Sequence, residues 1–152
     1  MLLCATTAAI VAMYTVAAWD HQFIYDDPLY IVAEPPIESW SDVFEPFWEL
    51  HPGRLPYYRP LTRLSYIAQK TIHGDNPRPL HVANAVLAGG VFLAVFGLLR
   101  RPAWNVKWWA AYFAALIFIL HPIASSCVYP AASGRETILP ALLMLLSLWA
   151  YL

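Results

Sequence analysis

Apolar residues dominate four stretches of this 152-residue chain. Residues 1–19 (MLLCATTAAIVAMYTVAAW) carry no charged side chain, and residues 80–99 (LHVANAVLAGGVFLAVFGLL) carry one titratable group, His81. Residues 104–120 hold a single lysine, Lys107, close enough to an end to snorkel, and residues 133–152 are opened by Arg135 and Glu136. Each stretch approaches the roughly 20 residues that cross a bilayer. The pattern predicts an all-α integral membrane protein: one membrane domain over residues 1–152, with transmembrane helices at 1–19, 80–99, 104–120 and 133–152 and a long loop at 20–79. The first stretch reads as a retained anchor rather than a cleaved signal, because no basic residue precedes it.

The long loop has a pattern of its own. In PPIESWSDVFEPFWEL the residues Ile37, Trp40, Val43, Phe44, Phe47 and Trp48 recur at helical spacing opposite Glu38, Asp42, Glu45 and Glu49, with Pro46 expected to kink the run. In RPLTRLSYIAQKTIHG, Pro60 suits a first helical position and Gly74 a terminator. Both segments are expected to be interfacial amphipathic helices, lying on the membrane with one face in the headgroup region. Packing of the loop on its own spans is the competing expectation.

Composition agrees with the membrane reading. The chain is 60% hydrophobic and 12% charged, against roughly 25% charged in soluble domains. Its net charge of −1 points to neither nucleic acid nor an acidic substrate. Cys4 and Cys127 fit no metal spacing and no disulfide framework. The placement of charge sets the orientation. RRPAWNVK, between the second and third stretches, holds Arg100, Arg101 and Lys107 without an acid, whereas residues 20–79 hold nine Asp/Glu against five Lys/Arg. By the positive-inside rule the short basic loop is cytoplasmic, both termini lie inside, and residues 20–79 are extracytoplasmic. Trp19 at one boundary and Trp104, Trp108, Trp109 and Trp149 at the other match aromatic belts.

That topology gathers polar residues from distant parts of the chain at one boundary: Asp26, Asp27, Arg59, Arg63, His81, Asn84, His121, Arg135 and Glu136. Ionisable groups at the edge of an apolar span are costly to bury and usually face a cavity or a partner. His81 and Asn84 are three apart on one helix face, and Ala85, Gly89 and Gly90 let that helix approach a neighbour closely. Singly, each residue has a plainer explanation. Asp-Asp-Pro also describes a helix cap, His121-Pro122 an interfacial turn, and Arg59 or Arg63 a headgroup anchor. Convergence is what favours a site.

Five motifs occur in order: the acidic pair Asp26-Asp27, the Tyr58-Arg59-Pro60-Leu61 string, His81 with Asn84, His121-Pro122 and Gly134-Arg135. In this the chain resembles the N-terminal part of the polytopic transmembrane and tetratricopeptide-repeat O-mannosyltransferases and their bacterial relatives, members of the GT-C superfamily. The resemblance covers Phe23 to Leu152. Departures from the family pattern are Ser126, where relatives carry an acid after His-Pro, Ala88 in place of a second histidine, and Glu136 beside Arg135 in place of an acid at Thr137. Superfamily cores have more than four spans, so an N-terminal fragment of a longer enzyme, inactive at this length alone, is expected.

The resemblance implies a membrane glycosyltransferase that moves a sugar, mannose in these relatives, from a polyprenyl-phosphate-linked donor to a hydroxyl on a protein or glycan acceptor at the extracytoplasmic face, with inversion. Asp26 or Asp27 would be the catalytic base. Arg59 and Arg135 would bind the donor phosphate, and His81, Asn84, His121 and Glu136 would orient substrate. The residues demand no cofactor and leave a divalent metal open. A non-catalytic membrane module binding lipid headgroups or a partner subunit is the alternative from another class.

Overall fold

A computed structural model describes residues 1–49 and 58–152; Leu50, the last residue of the first expected loop helix, lies outside this set. Every regular element among the described residues is helical. They are α1 (Leu2–Ala17), α2 (Trp40–Phe44), α3 (Pro60–His73), α4 (Pro77–Leu99), α5 (Trp108–Leu120), α6 (Pro122–Ser126) and α7 (Ala131–Tyr151), with a π-turn at Pro28–Val32 and 3₁₀ turns at Glu45–Phe47 and Pro102–Trp104.

The elements start and stop where local chemistry dictates. Pro60 opens α3, and Gly74, at φ 62°, closes it in the left-handed region that favours glycine. Asn76 caps α4, its side chain accepting from Arg78 N at 3.1 Å ahead of Pro77. The run at 37–49 is no single helix. Asp42 accepts the backbone N–H groups of Glu38 and Ser39 at 2.8 Å each and starts α2; these bonds, that from Glu38 first, hold its carboxyl below the usual carboxylate range. Five residues later the chain passes into the 3₁₀ turn containing Pro46.

α4 is the hub, packed against α7, α1 and α5. Small residues on its surface permit this. A Cβ on Gly89 would lie 3.0 Å from Thr7 and Val11 of α1, and one on Gly90 would lie 3.2 Å from Leu142 of α7. The main core joins Ile10 and Tyr14, Ala88 and Phe92, Ala115 and Ile119, and Val128 and Ile138. Phe92 is fully buried there, and between membrane helices such packing stabilises through van der Waals contact rather than transfer from water. Tyr14 is satisfied there by donating to the Ile119 carbonyl at 2.6 Å.

Among the described residues two helices, α4 and α7, are long and apolar enough to cross a membrane. α1, with 16 residues, and α5, with 13, are shorter than their apolar stretches. At 1.5 Å per residue α5 reaches roughly 20 Å, because residues 102–107 are spent on a 3₁₀ turn and a left-handed Asn105. α3 buries Thr62, Arg63, Tyr66 and Ile67 against the protein and exposes Leu61 and Ile72. Its inner face therefore packs on the chain's own elements. A second core of Tyr30, Ile31, Tyr66, Leu80, Ala131 and Ala132 lies beneath it, and the polar residues gather on this core.

Candidate functional site

The two adjacent aspartates have different surroundings. Asp27 is 1% exposed. One carboxylate oxygen accepts from Ile24 N at 3.1 Å and the other from Ala132 N at 2.7 Å. It occupies the N-cap position ahead of Pro28, yet its side chain makes no cap bond there and instead meets an orphan N–H in the first turn of α7. Asp26 is exposed and its carboxylate has no partner among the described residues. Its carbonyl accepts from Leu29 and Tyr30 and starts the π-turn. Immediately before it Tyr25 sits at φ 52°, 88% exposed, a left-handed conformation costing about 1 kcal/mol or more in a residue other than glycine. Such strain is concentrated at functional positions.

Arg135 lies behind this surface, 2% exposed. Its Nε donates to Asn84 Oδ1 at 3.0 Å, its Nη2 to the Leu80 carbonyl at 3.0 Å, and its Nη1 to Gln69 Oε1 and, at 3.4 Å, to Ser65 Oγ. The Tyr66 ring lies 5.3 Å from the guanidinium carbon. Asn84, fully buried, uses its amide to hold the carbonyls of Val128, Pro130 and Ala131 at 3.0–3.3 Å. The preceding glycine makes this approach possible, since a Cβ on Gly134 would meet the Cys127 carbonyl at 2.7 Å. In this conformation Arg135 joins α3, α4 and α7 and is spent on protein acceptors rather than on an open face.

Arg59 and Glu136 form an ion pair at the rim, the arginine side chain 40% exposed and the glutamate 16%. Pro140 lacks an N–H, which leaves the Glu136 carbonyl without its helical donor. Behind the rim, Arg63 Nε donates to Glu34 Oε1 at 2.7 Å and Nη2 to Glu34 Oε2 at 3.2 Å and Glu45 Oε1 at 2.7 Å. Burial alone would depress the Arg63 guanidinium; the two carboxylates outweigh it and hold its pKa above the ordinary value. Tyr66, donating to the Ala132 carbonyl at 2.7 Å, is pushed well above the usual phenol range by burial and then by Glu136, so it stays protonated.

The histidines differ in exposure. His81, one helical turn before Asn84, is 3% exposed and its ring meets His21 edge-on at 5.9 Å. His121 is exposed and caps α6, Nδ1 accepting from Ile123 N at 3.2 Å. Among the described residues no three His, Cys, Asp or Glu side chains are grouped to hold a metal ion. Both cysteines are free. Sequence reasoning passed over Glu34, Ser65, Tyr66 and Gln69. The available signal was the polar stripe Arg59, Thr62, Arg63, Tyr66, Gln69 at helical spacing along α3.

No family profile matches the chain, and no solved structure matches it. Among curated proteins, protein O-mannosyl-transferase TMTC2 of Mus musculus is 31% identical over 137 residues, 86% of this chain and 16% of that protein. The chain is a homologue of the protein O-mannosyl-transferases. TMTC4 of Homo sapiens is likewise 31% identical, over 88% of the chain and 20% of the relative, and TMTC1 of Mus musculus is 28% identical over 86% and 14%. The chain thus spans about a sixth of the length of the O-mannosyl-transferase TMTC2 proteins.

Proposed function

We propose that this chain forms part of the site of a membrane glycosyltransferase that moves mannose from a polyprenyl-phosphate donor to a hydroxyl acceptor on the extracytoplasmic side. α1, α4, α5 and α7 are the membrane segments of this reading, with both termini cytoplasmic. The observation that carries it is the division of the acidic pair: Asp27 is consumed in positioning α7, while Asp26 beside it is exposed. In the reaction the acceptor hydroxyl oxygen bonds to the anomeric carbon as the bond to the phosphate oxygen breaks, the electron pair leaving with the polyprenyl phosphate. The acceptor proton passes to the Asp26 carboxylate. A single displacement inverts the anomeric centre.

The growing charge on the phosphate needs a cation that can reach it. Arg59 fits, being partly exposed and held by Glu136, a carboxylate that a phosphate replaces in kind. Glu136, once displaced, and the exposed His121 are the residues we assign to orienting substrate. Asn84 and His81, both buried, support the site from behind, and Arg135 positions α7. The test is transfer by the protein, expressed from its full reading frame in membranes, with polyprenyl-phosphate mannose or a nucleotide-linked mannose as donor. Product from the first donor alone supports the reading; absence of product from it defeats the reading.

Orientation has an independent check. With Cys4 and Cys127 replaced by alanine, Ser41→Cys is expected to react with a membrane-impermeant thiol reagent added outside intact cells, and Asn105→Cys only after permeabilisation. Both positions are exposed in the fold. The reverse labelling would put Asp26 and Arg59 on the cytoplasmic face and remove the proposed site from the extracytoplasmic donor.

A further inference from the structure

Beside the Arg59–Glu136 pair is a small cavity whose lining includes Tyr30, Glu49, Arg59, Arg63, Tyr66 and Glu136. It holds about 10 Å³, the room of one water or one hydroxyl oxygen. Arg63, which lines it, is 4% exposed, and its Nη1 is buried without a hydrogen-bond partner. The rest of the guanidinium is fixed by Glu34 and Glu45. A buried polar atom of this kind is rare in a folded protein, and leaving it unpaired is costlier still when the group is charged. A hydrogen-bond acceptor seated in the cavity beside Arg63 would satisfy that atom.

Charge decides what that acceptor is. Arg63 with Glu34 and Glu45 sums to −1, Arg59 with Glu136 sums to zero, and Glu49 in the wall adds a further −1. A phosphate oxygen pressed against Arg63 would meet a guanidinium already neutralised by Glu34 and Glu45, with the Glu49 and Glu136 carboxylates in the cavity wall. A hydroxyl both accepts and donates, so it takes an N–H from Arg63 and returns a proton to a carboxylate oxygen. The rigid fork also suits recognition better than catalysis, since Arg63 cannot move without abandoning two acids.

We propose that the Arg63 Nη1 cavity is a subsite that reads one hydroxyl of the transferred sugar, making Arg63 a specificity-determining residue. This rests on the glycosyl-transfer reading above and divides the donor between two arginines: phosphate at the partly exposed Arg59, which caps α3, and sugar hydroxyl at the buried Arg63 within it. They are four residues apart and line the same cavity.

The experiment uses the protein from its full reading frame in membranes, with polyprenyl-phosphate mannose and its 2-, 3-, 4- and 6-deoxy analogues as donors. In the parent, loss of one particular hydroxyl is expected to lower kcat/KM by about 10- to 100-fold, because a buried donor is left unpaired. Arg63→Lys keeps a cation facing Glu34 and Glu45 but lacks Nη1. It should shrink that one penalty to within about twofold and leave the other deoxy penalties in place. Glu45→Gln, altering a half-buried partner, should reduce the same penalty and no other, and serves where Arg63→Lys does not fold. Equal tolerance of all four analogues by the parent, or an unchanged penalty in the variants, would mean that the cavity holds a structural water only and would overturn the proposal. No transfer from unmodified polyprenyl-phosphate mannose by the parent would instead defeat the glycosyl-transfer reading itself, before any variant is compared.

Discussion

Asp26→Asn is expected to lower turnover with polyprenyl-phosphate mannose by roughly 10²- to 10⁴-fold, the range associated with removing a general base, while leaving the melting temperature and donor KM near their parental values. The amide preserves size but takes up no proton from the acceptor. Since the Asp26 side chain has no partner among the described residues, the fold loses nothing that the amide fails to replace. Asp27→Asn should behave in the opposite way. Its two oxygens each accept a backbone N–H, from Ile24 and Ala132; an asparagine offers one oxygen and turns an NH₂ toward the other donor. One buried N–H is then left facing a donor, a loss of about 1–3 kcal/mol. Initial rates and thermal melts of the two variants separate chemistry from architecture. Near-parental turnover in Asp26→Asn would remove it as the base, and an equal rate loss with unchanged melting in Asp27→Asn would transfer the role to its neighbour.

This division between adjacent acids was invisible in the sequence for a definite reason. What distinguishes them is an N–H 105 residues away in the first turn of α7, and no local pattern reports a contact of that range. The Arg63–Glu34 pair spans 29 residues across an irregular loop and was hidden for the same reason. Features with a local cause were legible. α3 is bracketed by Pro60 and Gly74, and it forms between them; the small residues of α4 announced a close approach that Gly89 and Gly90 make against α1 and α7. Hydropathy overstated α1 and α5, since an apolar composition continues through residues that caps and a left-handed turn remove from the helix. The convergence of Asn84, Arg135 and Glu136 with the α3 arginines was legible as proximity. Its division into supporting and exposed groups depends on which hydrogen bonds each side chain finds, and only the folded chain determines that.

Replacing Arg135 is expected to produce the largest effect on stability. Its guanidinium satisfies Asn84 Oδ1, Gln69 Oε1 and the Leu80 carbonyl from three directions. In Arg135→Ala these buried acceptors lose their donors, at about 1–3 kcal/mol each, and a cavity opens where a long side chain was packed. Removal of a desolvated cation that has no carboxylate partner among the described residues offsets part of this, so a net loss of roughly 3 kcal/mol is expected. Arg135→Lys should lose nearly as much, because a single ammonium on a flexible stem does not span three acceptors placed around a planar fork. Thermal melts of the two variants in detergent measure this. At a temperature where both remain folded, donor KM should stay close to the parental value, since the phosphate is assigned to Arg59. A tenfold or greater rise in KM, on the order of 1.4 kcal/mol of lost binding, with parental melting and partial rescue by lysine, would instead make Arg135 a phosphate contact. The bonds from Arg135 to α3 and α4 would then have to open before donor binds.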